Sequence, residues 1–405
     1  MHDRKVFLAL AVVIAGTLAS WYSVWRVFAV DKSFAIDFGV FHGGGSLIRS
    51  DGYSAAYSSD TFGPYFVSEY YPALADENSV SHFISPPPFG WLMQWVSYAP
   101  FELALWIVIG LGFLVLLPVV RSLHLPLWSA AVLALSPAMV QNVRLGQIGP
   151  FVLAAVVGLH LASSRSDVWR AGLIAGLFIL KPTLAIGFAL WWLIDVRRWY
   201  KAIAIAGLSG VVIAIPTLVA GIGPWTGFLD AMRFRVDAEG TWQQQSTSIP
   251  EWLKLASPLG PGGQTLVFWL VGIGVGAGLL VSAKRKFGDD MEAMSAVAVT
   301  VTVLASPHLL IYDTFILVIP VAVAAGRGLL NRDRVILLLG IHVGSIVFSS
   351  GLYDAQYTRF GRGIGFELVG LVVSIILLMR WWDEAADTSS TAEKPVGSVP
   401  VVANH

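Results

Sequence analysis

The 405-residue chain is 56% hydrophobic and 13% charged, with a mean hydropathy of +0.70, whereas soluble domains carry roughly a quarter charged residues. This excludes an ordinary soluble domain and makes the chain an integral membrane protein. Its 26 basic and 26 acidic residues leave no nucleic-acid footprint, and the absence of cysteine excludes disulfide staples, thiolate zinc sites and cysteine nucleophiles.

The first apolar run, residues 6–28, follows Arg4 and Lys5 and is closed by no small-x-small cleavage pattern. It reads as a retained signal anchor. Further runs fall at 84–98, 101–120, 126–141, 147–163, 168–181, 182–195, 200–221, 264–283, 290–305, 309–326, 334–350 and 362–381. Basic clusters at Arg121, Arg165 with Arg170, Arg197-Arg198 with Lys201, Lys284-Arg285-Lys286, Arg327 with Arg332 and Arg334, and Arg380 are cytoplasmic by the positive-inside rule. These placements agree only if 84–98 is not a crossing. That segment opens Ile84-Ser85-Pro86-Pro87-Pro88 and is too short for an untilted span, so it reads as a re-entrant or interfacial helix.

The expected fold is therefore an all-α polytopic membrane protein of about 12 transmembrane helices plus re-entrant or interfacial helices, with both termini cytoplasmic. Residues 1–382 form one transmembrane domain with outer loops at 29–83 and 222–263. The tail 383–405 is expected to be a disordered cytoplasmic segment.

On this topology the polar interruptions of the apolar runs lie on the outer side. Asp37 follows the first span, in the interfacial zone where a carboxylate can be partly desolvated, and reads either as a base or as an ordinary solvated loop acid; Asp31, Asp51 and Asp60 compete for the base's role by position. The Arg144-Leu145-Gly146-Gln147 link offers a guanidinium that can fork onto phosphate and an amide that can bond a hydroxyl, or a structural loop-capping pair. Lys181-Pro182 breaks an apolar stretch, and its lysine reads either as an anion clamp for a phosphate or as a snorkelling side chain at a helix end. His308 follows Ser306-Pro307, suited to donate to a phosphate or to a structural role. Asp313 sits inside an apolar run, where a carboxylate is functional by default.

In the 222–263 loop, Trp225, Trp242 and Trp252 accompany Gln243, Gln244 and Gln245, a composition suited to a sugar or to an interfacial aromatic belt. The chain lacks G-x-S-x-G, Walker A, H-E-x-x-H and D-x-D patterns, so His42-Gly43-Gly44-Gly45 reads as a loop or close-packing segment and not as an oxyanion hole.

A set of landmarks then carries a resemblance. In order they are Asp37-Phe38-Gly39-Val40-Phe41 with Gly44, Asp51-Gly52-Tyr53 with Tyr57, Pro86-Pro87, Leu145-Gly146-Gln147, Leu180-Lys181-Pro182, Gln244-Gln245-Ser246 and Ser306-Pro307-His308. The chain resembles glycosyltransferase family 87, the polyprenyl-phosphate-sugar-dependent enzymes of the membrane-embedded C-type fold, whose best-known members are mannosyltransferases. It departs from the usual pattern at Phe41, where tyrosine is usual, and in the His-Leu-Leu-Ile-Tyr-Asp segment from His308.

The resemblance implies a C-type bundle with a donor cavity opening to the outer leaflet of the plasma (inner) membrane. It selects Asp37 over its competitors as catalytic base, and it puts Lys181 and His308 near the lipid phosphate or the reacting centre. With Arg144, Gln147, Gln245 and Asp313 these form the expected donor-phosphate and substrate site. The expected reaction is inverting transfer of a sugar, mannose in the best-known members, from a polyprenyl-phosphate donor to a lipid-linked or glycan hydroxyl in the cell envelope. It needs no metal and no cofactor beyond the lipid-linked sugar itself. The rival expectation is a transporter or flippase for a lipid-linked sugar, which would also use broken helices around a cationic pocket.

Overall fold

The computed structural model describes residues 2–26, 28–29, 34–72, 83–237, 248–250, 253, 264–306, 311–331, 333–341, 343 and 366–392. Among them there is helix and no strand. Among the described residues three helices are long and apolar enough to cross a membrane: α6, whose full extent is Phe101–Ser122, α12 at Val196–Val219, and the Leu266–Phe287 stretch of the Gln264–Phe287 helix. At 22 to 24 residues each covers about 33 to 36 Å, enough for the hydrocarbon core. At most 33% of each apolar window is buried within the protein. The outward faces, such as Leu103, Trp106, Ile107, Leu111 and Leu114 on α6, are too large an apolar surface for water and fit lipid.

One of the shorter apolar helices lies inside. The Met291–Ala305 helix is the centre of the bundle, with Ala298, Val299, Val301 and Val303 fully buried. It packs against α9 (Gly149–Ser164), α11 (Ile186–Ile194), the Gln264–Phe287 helix and the Val318–Gly326 helix. Fifteen residues give it a length of only about 22 Å. Short helices of this kind end in protein-lined space, where neighbours can satisfy the freed backbone groups.

Several sequence expectations change here. The run 126–141 is not one span: it breaks at Ser136 into α7 (Trp128–Leu135) and α8 (Pro137–Leu145). Pro137 forces this, because it lacks an N–H and pushes the preceding residue out of the helical region; Ser136 stands at φ −64°, ψ 148° and its hydroxyl accepts from the Met139 N–H. Within the expected outer loop 29–83 the chain forms helices, α2 (Ile36–Ser50), α3 (Tyr53–Tyr57) and α4 (Ser59–Tyr70). They are held by a core of their own in which Leu47, Phe62, Phe66 and Phe83 are buried. α5 (Pro87–Val96) has ten residues, about 15 Å, too short to span, and packs against α2. The Phe366–Ala392 helix runs past Asp383, where the tail was expected to begin.

His42-Gly43-Gly44-Gly45 lies in mid-helix, so its loop reading is replaced by the close-packing one. A Cβ on Gly44 would come within 2.3 Å of the Phe83 ring, and one on Gly45 within 2.3 Å of the Met93 carbonyl oxygen. His42 is buried; its Nε2 donates to the Ala99 carbonyl at 3.0 Å, so Nδ1 accepts from the Tyr70 hydroxyl at 2.7 Å. Desolvation pushes the His42 pKa below its ordinary value, which keeps the ring neutral and able to accept. Alanine at position 45 gains about 1 kcal/mol of helix propensity, but the neighbour it meets is backbone and cannot swing aside. Gly45→Ala is therefore expected to lose up to about 2 kcal/mol net, an overpacking cost of about 1 to 3 kcal/mol less the propensity gain, read as a lower melting temperature in detergent.

One end of the bundle is tied by ion pairs. Arg327 forks onto Asp290 at 2.5 and 2.8 Å and reaches Glu292 at 2.9 Å. Lys284 pairs with Asp195, Arg198 with Asp289, Lys286 with Asp383 and Arg334 with Glu384. They draw on three of the basic clusters read from the sequence, those of Arg198, of Lys284 with Lys286, and of Arg327 with Arg334. The Met291–Ala305 helix starts at this end, and its other end leads to the polar site described next.

Candidate functional site

Three irregular stretches converge at the end of the bundle opposite the ion pairs: the link between α8 and α9, the Lys181 break and the 3-10 turn Ile311–Leu317. The first is built by Gly146, which ends α8 in the left-handed region at φ 69°. A Cβ there would lie 2.5 Å from that of Phe38 and 2.9 Å from that of Ala35, so the link presses directly on the start of α2. Ala35 is itself left-handed, at φ 59°, and its N–H donates to the Arg144 carbonyl at 2.8 Å. This non-glycine residue in the left-handed region is held there by the contact with α8. The docking brings Asp37, in the first turn of α2, to the α8–α9 link.

Gln147 then meets Asp37, its Nε2 donating to Oδ2 at 2.6 Å. An ionised carboxylate only accepts, so the amide has to present its nitrogen. The second hydrogen on Nε2 goes to the Tyr312 hydroxyl at 3.3 Å. Tyr71, at the end of α4, closes another side: its hydroxyl donates to the Phe34 carbonyl at 2.8 Å, and its ring would lie 2.8 Å from a Cβ on Gly39. Burial, followed by the Asp37 charge, raises the Tyr71 pKa, so the phenol stays protonated.

Asn142 sets the relation between these pieces. It is 2% exposed; its amide donates to the Ala138 carbonyl at 2.8 Å and the Tyr312 carbonyl at 3.2 Å, and its oxygen accepts from the Gly149 N–H at 2.9 Å. One side chain thus joins α8, the start of α9 and the 3-10 turn Ile311–Leu317. Position 149 has to be glycine, because a Cβ would fall 2.1 Å from the Asn142 oxygen.

Lys181 lies between two 3-10 turns, Leu177–Leu180 and Pro182–Ala185, at φ −152°, ψ 74°, outside the helical region that the following proline disfavours. It is not a bare cation. Its Nζ lies 2.5 Å from Asp313 Oδ1 and 5.1 Å from the centre of the Tyr312 ring. The lysine side chain is 26% exposed and the aspartate 2%. The pair explains how a carboxylate stands inside an apolar run, since a buried charge needs a partner.

The structure therefore brings together Asp37, Gln147, Lys181 and Asp313, with the Arg144 backbone anchoring the start of α2. His308 and Gln245 lie outside the described residues. Tyr312, Asn142 and Tyr71 join the site without having been picked out as site residues from sequence. For Asn142 the usable signal is a polar residue in a short helix that is otherwise apolar toward the core; Tyr71 carries none. Among the described residues no group of three or more His, Asp or Glu is close enough to hold a metal ion.

The family model for glycosyltransferase family 87 matches residues 83–307, more than half of the chain. The match covers the α8–α9 link and Lys181 and leaves Asp37 and Asp313 on either side of it. No curated protein and no solved structure matches the chain.

Proposed function

This chain belongs to glycosyltransferase family 87, and we propose that it moves a sugar, with inversion, from a polyprenyl-phosphate donor to a lipid-linked or glycan hydroxyl. What supports this reading is the convergence of one partly buried carboxylate, Asp37, with a cation, Lys181, through Gln147 and Tyr312. The acceptor oxygen attacks C1 of the sugar, the bond from C1 to the phosphate oxygen breaks, and Asp37 takes the acceptor proton. The leaving polyprenyl phosphate is already a stable anion. No partner acid is required, so one carboxylate suffices where glycosidases use two.

Lys181 stabilises the charge that grows on the phosphate. It does so by turning from Asp313 toward the donor, and Arg144 and His308 lie in sequence where they can add a second cation. Gln245 is a further candidate for the sugar. In the same reading the bundle makes about 12 crossings of the plasma (inner) membrane, both termini are cytoplasmic, and the site faces out. The donated sugar is mannose, and the reaction runs without a metal.

The test is purified protein reconstituted in liposomes with radiolabelled polyprenyl-phosphate mannose and a lipid extract as acceptor source. A new labelled glycolipid is expected, in equal yield with and without a chelator. Movement of label across the bilayer with no product would replace the proposal by a carrier of lipid-linked sugars.

A further inference from the structure

We infer that Tyr312 is a positioning residue that couples the phosphate-binding cation to the base, an inference that rests on the roles proposed above for Asp37 and Lys181. Three different parts of this residue hold three different partners. Its carbonyl accepts from Asn142 at 3.2 Å, which ties its backbone to α8. Its hydroxyl accepts from Gln147 at 3.3 Å, and Gln147 passes its other amide hydrogen to Asp37 at 2.6 Å. The centre of its ring is 5.1 Å from the Lys181 ammonium, close enough for a cation–π contact.

The local backbone makes this arrangement possible. Tyr312 and Asp313 are neighbours in a 3-10 turn, where three residues complete a turn and successive side chains diverge by about 120°. The Lys181 ammonium is thus shared between a carboxylate and a ring on adjacent residues, and the ring continues through its hydroxyl toward Gln147. Drawing Lys181 onto a phosphate acts on the ring, and the ring carries the hydroxyl that orients the Gln147 amide. That amide donates to Oδ2 of Asp37 and fixes the orientation of the carboxylate. Gln147 without Tyr312 has one fixed partner for two hydrogens and is free to rotate away from the carboxylate.

The experiment compares Tyr312→Phe, which keeps the ring over Lys181 and loses the hydroxyl, with Gln147→Met and the double variant, all in reconstituted liposomes. Tyr312→Phe is expected to lower kcat by roughly 10- to 100-fold with the donor KM unchanged. The acidic limb of the kcat/KM profile moves to higher pH, because the carboxylate loses a donor to its charged form. The double variant is no slower than Gln147→Met alone, as for two groups acting through one chain of contacts. An unmoved pH limb overturns the inference, as does additivity in the double variant; a lowered melting temperature with an unmoved limb assigns Tyr312 a structural role only. Full activity in Asp37→Asn would instead remove the base itself, so the two readings fail separately.

Discussion

Asp37→Asn is expected to lower the rate of glycosyl transfer by about 10² to 10⁴, the usual contribution of a general base, while donor binding and folding persist. The substitution is close to isosteric. The asparagine oxygen still accepts from Gln147, so the start of α2 stays docked on the α8–α9 link through Ala35 and Arg144. What is lost is basicity alone. Donor affinity should not fall, because the proposed mechanism assigns the phosphate to the cation and not to this carboxylate. Initial rates of labelled glycolipid formation, alongside equilibrium binding of the donor, decide the matter. Turnover near that of the unaltered protein would remove Asp37 from the mechanism. Loss of donor binding together with rate would make it a structural residue of the docked helix. The competitors read from position are separated by the same assay, since Asp51 and Asp60 lie beyond the first turn of α2 that meets the link.

The elements legible in the sequence were those fixed by local chemistry. Pro182 breaks its apolar run where expected, and the Pro86-Pro87-Pro88 segment opens a helix too short to cross. Pro137 acts in the same way, but it lies inside a run whose apolar character masks the break, and 126–141 therefore read as one span. Asp37 was legible as a residue and not as a position: its place in a helix depends on a left-handed Ala35 bonded to Arg144, a contact no local pattern encodes. The site's partners lie far apart in the chain, 110 residues between Asp37 and Gln147 and 132 between Lys181 and Asp313. Periodicity and composition carry no information at that range. Lys181 could be read as a clamp or as a snorkelling side chain, and neither reading foresaw that Asp313 holds its ammonium. Charge balance was the available signal, since a buried aspartate in an apolar run asks for a cation.

Lys181→Met is expected to act on both stability and donor binding, and a second substitution separates the two. Removing the lysine leaves the Asp313 carboxylate, 2% exposed, without its counter-charge. Breaking a fully buried pair costs about 3 to 5 kcal/mol, and this one less because the lysine is 26% exposed, whereas replacing both partners by apolar residues is often neutral. Lys181→Met should therefore melt well below the unaltered protein in detergent, and Lys181→Met/Asp313→Leu should recover most of the loss. Donor affinity follows a different rule. A charge-assisted hydrogen bond to phosphate is worth about 1.5 to 3 kcal/mol, so both variants should bind the donor roughly 10- to 150-fold more weakly. Recovered stability with persistently weak donor binding is the pattern of a lysine that pairs with Asp313 at rest and with phosphate at work. Recovery of both properties in the double variant would make the pair purely structural. Failure to recover stability would show that Lys181 supports the break between its two 3-10 turns by something other than its charge.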